Sequence, residues 1–142
     1  MIVLDTNVVS ELMRPVPEPS VEAWIADRDG ASLFLTAVSE AELRYGVAAM
    51  PVGRRQELLS AALEAMLLHD FAGRVLPFDS AAAQAYATIA AERRAAGQPA
   101  AQSDAQIAAI ARCRSMAVAT RNLPDFEGMG VELIDPWAAP GG

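Results

Sequence analysis

The sequence of 142 residues has no lysine, one histidine, His69, and one cysteine, Cys113. With no second cysteine an internal disulfide cannot form, which points to a reduced, cytoplasmic compartment. His69 follows Leu67-Leu68 and lies far along the chain from Cys113. It reads as a helix-end residue and Cys113 as a small buried apolar residue on a helix, so a Cys/His nucleophilic pair is disfavoured. A response-regulator-like phosphoacceptor needs a lysine beside its acidic pocket, and none is available. Long hydrophobic runs are also missing: Arg, Glu, Asp or Gln breaks every apolar stretch before the roughly 18 residues of a membrane span. The opening Met1-Ile2-Val3-Leu4-Asp5 has no positive region, so no secretory signal is expected and the chain reads as having no membrane association.

Positive charge is scarce as well. The formal net charge of −7 excludes a protein that holds nucleic acid through a broad basic face, because counterion release requires one. A polyanion would have to be met locally. All eleven basic residues are arginines, and Arg93, Arg94, Arg112, Arg114 and Arg121 fall in the same half of the chain as Asp104 and Asn122. They are either a local rim suited to phosphate or a solvated helix face. What the chain has in quantity is apolar residues, 53% with much alanine, enough for one domain with a core of closely packed helices.

Short apolar runs alternate with helical patterns from end to end. Ile2-Val3-Leu4, Leu33 to Thr36, Val75 to Phe78 and Met116 to Ala119 read as strands, with Val131 to Ile134 a further edge strand. Between them, Asp5-Thr6-Asn7 caps a helix that Pro15, Pro17 and Pro19 stop, and Ser20 caps the next. Ser39-Ala41-Glu42 and Ser103-Asp104-Ala105-Gln106 have capping-box spacing, Gly53 opens a long helix through Leu67, and Asp79 or Ser80 caps the helix of Tyr86 and Ile89. The alternation predicts an α/β fold, a mostly parallel sheet of four to five strands covered on both faces. Residues 1–139 read as a single domain and residues 140–142 as a frayed tail.

Asp5, Glu42, Asp104 and the Asn122/Asp125 pair each fall just after an apolar run or in the first turn of the helix after one. Each has a purely structural explanation as cap, capping-box partner, dipole complement or turn. A parallel sheet, however, gathers the carboxyl ends of its strands along one edge. Carboxylates crowded there repel, and a hard divalent cation is the economical way to hold them together. Asp5 and Asp104, short and helix-anchored, are the best direct ligands, with Glu42 and Asn122 supporting. Such an ion acidifies water and offsets phosphodiester charge, though composition alone does not distinguish a phosphodiester from another hydrolysable bond.

The segments Ile2-Val3-Leu4-Asp5-Thr6-Asn7, Ala41-Glu42-Leu43-Arg44-Tyr45-Gly46, Asp104-Ala105-Gln106-Ile107-Ala108 and Ala119-Thr120-Arg121-Asn122 through Asp125-Phe126 resemble the PIN domain. More narrowly they resemble the VapC toxins of bacterial type II toxin–antitoxin pairs, in the branch that includes FitB. The resemblance spans nearly the whole chain in order and spacing. It implies a three-layer α/β/α sandwich and an endoribonuclease dependent on Mg²⁺ or Mn²⁺, acting on tRNA or another structured RNA. Asp5, Glu42 and Asp104 match the family's acidic metal-site positions, and Thr6 matches a motif hydroxyl that orients Asp5 or a water. The fourth acidic position falls on Asn122, a neutral amide, which Asp125 either compensates or merely follows as a turn residue. The resemblance further implies a homodimer and a small antitoxin that binds operator DNA and lies across Leu12, Met13, Val21, Trp24 and Ile25. Helical spacing alone assigns at least half of that stripe to the core. The competing function is a non-catalytic module that binds antitoxin or RNA, for which Asn122 and the acidic net charge argue.

Overall fold

The computed structural model describes residues 1–138; the tail expected at 140–142 lies outside them. Its sheet contains β1 (Ile2–Leu4), β2 (Leu33–Thr36), β3 (Val75–Leu76), β4 (Ala117–Ala119) and β5 (Leu133–Ile134) in the order β3-β2-β1-β4-β5. Every pairing is parallel. β1 is central, with Val3 opposite Phe34 on one side and Val118 on the other, and Leu4 opposite Ala119.

Successive side chains of a strand point to opposite faces, so this sheet serves two cores. Val3 and Val118 pack with Ile89, Ile107, Phe126 and Met129. Leu4, Leu33, Leu35 and Ala119 pack with Val8, Val9, Val21, Leu43 and Leu63. The second face is covered by α1 (Thr6–Leu12), α2 (Pro19–Ala26), α3 (Ala37–Ala48) and α4 (Arg54–Ala65), and the first by α5 (Ser80–Ala95), α6 (Gln102–Arg112) and the short α7 (Leu123–Phe126). Ile107 to Ala111 are all fully buried; alanine's small side chain lets α5 and α6 approach closely around them. The expected three-layer α/β/α arrangement is observed. Among the described residues no helix is long and apolar enough to cross a membrane.

Several local expectations are corrected. Pro19 occupies the first turn of α2 and Glu18 precedes it, so Ser20 lies inside the helix with its buried hydroxyl unpartnered. Thr36 caps α3, its hydroxyl accepting from the Ser39 N–H at 3.0 Å, which moves the helix start one turn earlier than Ser39. Ala101 precedes α6 without a side-chain cap, so Ser103 and Asp104 both stand inside the first turn. Asp79, of the two candidates, caps α5 through the Ala82 N–H at 3.0 Å. The long helix from Gly53 loosens into a π-helical turn at Met66–Asp70. β3 stops at Leu76 because Pro77 has no N–H for the ladder. Cys113 terminates α6 and is exposed rather than buried.

Candidate functional site

β1 is flanked by β2 and β4, and the chain reverses direction across the sheet between them, which opens a crevice at the carboxyl ends of β1 and β4. Asp5 follows β1 and Thr120 follows β4. The Asp5 backbone N–H donates to the Ala119 carbonyl at 2.9 Å, continuing the ladder beyond both strands. The Asp5 carboxylate is nearly fully buried. It accepts from the Thr6 backbone N–H at 2.8 Å through Oδ1 and from the Thr120 hydroxyl at 2.8 Å through Oδ2. Thr120 is itself fully buried and in turn accepts from the Asn122 N–H at 3.0 Å and, weakly, from the Asn7 amide at 3.5 Å. A hydroxyl has one proton and two lone pairs, so all of its capacity is used.

Glu42 stands beyond the first turn of α3 because Thr36 has taken the cap, and its carboxylate is released from any capping role. The Thr6 hydroxyl lies 2.7 Å from Glu42 Oε1 and 2.9 Å from the Ser39 hydroxyl. An ionised carboxylate can only accept, so Thr6 donates to Glu42 and Ser39 donates to Thr6. Thr6 therefore orients Glu42 with its side chain and Asp5 with its backbone. The hydroxyl that orients Asp5 belongs to Thr120.

Asp104 occupies the first turn of α6, where unpaired backbone N–H groups favour a negative charge. Its carboxyl is nevertheless pushed up to about 6, first by burial and then by the charges of Asp5, Asp125 and Glu42, with Arg93 opposing. Burial likewise raises Asp5, against the lowering effect of the Thr120 and Thr6 bonds, and Glu42 and Asp125 raise it further. Asp5 and Asp104 thus each feel the charges of Glu42 and Asp125. Asp125, carried by α7, belongs to this field, while Asn122 is exposed and lines the same depression without adding charge.

That depression, about 500 Å³, is bordered by Asp5, Thr6, Glu42, Asp104 and Asn122 together with Asn7, Arg14, Arg121 and Trp137. The sequence-predicted acids and amide are therefore brought together. Among the described residues no three acidic, imidazole or thiol side chains are gathered tightly enough to hold an ion as they stand. Thr120 holds Asp5 and Thr6 holds Glu42 through their hydroxyls. The donor set still fits Mg²⁺ or Mn²⁺: it is all oxygen, and the raised Asp104 carboxyl marks uncompensated negative charge that a cation would neutralise.

Of the expected arginine rim, Arg121 lines the cleft and Arg93 faces Asp104 electrostatically. Arg114 pairs instead with Asp79 at 3.1 Å, and Arg14, from the other half of the chain, completes the rim while paired to Glu11 at 3.1 Å. The apolar stripe packs into the core, as its helical spacing predicts, and is not an open docking face. Val21 is fully buried, and Leu12, Met13, Trp24 and Ile25 pack against the core. An open groove of about 700 Å³ lies between α1, α3 and α4, lined by Met13 from the edge of that stripe with Leu43, Val47, Leu58 and Leu59, and running into Thr6 and Glu42.

Residues 2–127 match the family model described as PIN domain. The protein named VapC ribonuclease Y4jK from Sinorhizobium fredii is 44% identical over 96% of this chain and 98% of its own length. Toxin FitB from Neisseria gonorrhoeae is 42% identical over 96% of this chain and 99% of its own. The solved structure of FitAB bound to an IR36 DNA fragment contains a chain 40% identical to this one, with a TM-score of 0.93 over 99% of each.

Proposed function

From the premise that this chain belongs to the PIN-domain family, in its VapC and FitB branch, we propose that it is the toxin of a type II toxin–antitoxin pair. Its activity is that of a divalent-metal-dependent endoribonuclease hydrolysing RNA phosphodiester bonds, with tRNA or another structured RNA as substrate. The observation that carries this is the convergence of Asp5, Glu42 and Asp104 on one depression at the carboxyl edge of the sheet.

Asp5 and Asp104 are the side chains that hold Mg²⁺ or Mn²⁺, with Glu42 and Asn122 in support. When bound, the cation supplies positive charge to the scissile phosphate and makes water more acidic. The chain's own contribution is to fix the oxygens: Thr120 locks one face of Asp5, the Thr6 backbone the other, and the Thr6 hydroxyl aims Glu42. Asn122 in place of a further acid weakens any second ion site. The same residue is the specific argument for the alternative, a PIN-like module that acts by binding antitoxin or RNA without cleaving.

The partners proposed are a second copy of the chain and a small antitoxin that binds operator DNA. The antitoxin's apolar segment fits the groove between α1, α3 and α4, which leads to Glu42, better than the stripe already absorbed by the core.

The test incubates chain freed of any partner with total cellular RNA, with Mg²⁺, Mn²⁺ or chelator, beside Asp5→Ala. Cation-dependent cleavage lost in the variant is expected. Cleavage indifferent to chelator, or growth arrest undiminished by Asp5→Ala, would overturn it.

A further inference from the structure

Two side chains of the cleft take no part in holding its carboxylates. The guanidinium of Arg121 lies 5.3 Å from the ring centroid of Trp137, and both residues line the same depression as Asp5 and Asp104. Both are anchored at their backbones. The Arg121 N–H donates to Asn7 Oδ1 at 3.4 Å, and the Trp137 N–H to Asp135 Oδ1 at 2.9 Å. The half-buried indole packs against the core cluster that contains Leu4 and Ala119, while Arg121 is exposed. Among the described residues no carboxylate pairs with Arg121, whereas Arg14, the other arginine of the cleft, is engaged by Glu11.

A cleft with several carboxylates in a chain of net charge −7 repels a polyanion, so a nucleic acid must gain attraction from something other than a basic face. Stacking supplies it, because every base has a π-face and an arginine plane accepts it as readily as an aromatic ring does. We infer that Arg121 and Trp137 form a stacking platform for an unpaired nucleobase in a single-stranded stretch of the structured RNA, adjoining the position of the scissile phosphate. This rests on the nuclease reading above for its substrate class and adds the subsite that orients it.

In a Trp24→Phe background Trp137 is the sole tryptophan, and its emission is titrated in chelator with a short single-stranded RNA and with an abasic ribose-phosphate chain of equal length. Quenching by the base-bearing RNA alone is expected, and Arg121→Gln weakens it about tenfold. With Mn²⁺, Trp137→Leu raises KM for that RNA about tenfold while kcat stays within about twofold, and Trp137→Phe restores KM. Equal quenching by the abasic chain, or an unchanged KM in Trp137→Leu, overturns the platform and leaves the nuclease standing. Base-dependent quenching in a chain that cleaves nothing leaves the platform standing and removes the nuclease.

Discussion

The Thr120 hydroxyl donates to Asp5 Oδ2 at 2.8 Å, tying the carboxyl end of β4 to that of β1 across the crevice. The bond is buried and its donor is fully used, so the two residues act as one unit. Thr120 gives Asp5 a fixed orientation and part of the stabilisation that keeps a buried carboxylate ionisable.

Thr120→Val keeps the shape and removes the proton. Cation affinity, read by calorimetric titration with Mn²⁺, is expected to fall by about 10–100-fold, the usual cost of losing a hydrogen bond behind a metal-holding carboxylate. Thr120→Ser should retain most of it. Equal affinity in the valine variant would show that Asp5 is oriented without Thr120.

The Thr6–Glu42 bond at 2.7 Å is tested by a double-mutant cycle with Thr6→Val and Glu42→Ala, read by thermal unfolding in chelator. A coupling energy of about 1 kcal/mol is expected, because the pair touches directly. Additive losses would mean that Ser39 or solvent satisfies Thr6 as well as Glu42 does.

How far these residues could be seen in the sequence depends on what local pattern can encode. β1, β2 and β4 were legible because short apolar runs such as Ile2 to Leu4 must be buried on both faces. Asp5 was legible as the polar residue ending such a run. Glu42 and Asp104 were found for a reason that needed correcting. Both capping boxes were misplaced, since Thr36 and Ala101 take the N-cap positions and free the two acids. Thr120 was overlooked as a site residue because a threonine after an apolar strand resembles any strand end. Its meaning appears only from the register that sets Leu4 opposite Ala119, and a threonine directly after the strand facing Asp5 was the available signal. The β3 and β5 ends were overdrawn because edge strands end where pairing stops, not where apolar residues do.

Asp104 gives a pH-dependent prediction with a definite sign. Its carboxyl stands at about 6 in the folded chain and at 3.8 in the reference state, so the folded state binds the proton more tightly. Stability therefore falls as pH rises from about 4 to about 6 and levels off above that. In chelator, Asp104→Asn should be more stable than the parent at pH 7.5 by about 1 kcal/mol, allowing for screening at a half-buried carboxyl, or about 2–4 °C in Tm. The difference should close near pH 4. A variant less stable than the parent at pH 7.5 would mean that Asp104 serves chiefly to complement the amino end of α6.

Arg93 links that carboxyl to the segment bearing Asp125. Its Nε donates to the Gln98 carbonyl at 2.8 Å and its Nη1 to the Glu127 carbonyl at 2.7 Å, so one side chain ties the end of α5 to the turn after α7. It is also the cation that lowers Asp104 against three neighbouring carboxylates. Arg93→Met keeps much of the aliphatic stem and removes both functions. Asp104 then titrates at higher pH, and because a ligand must lose its proton to bind, Mn²⁺ affinity should weaken most near pH 6 and recover toward the parent's by pH 8. A loss equal at both pH values would instead assign Arg93 to holding the turn after α7 in place, with its charge adding little at Asp104.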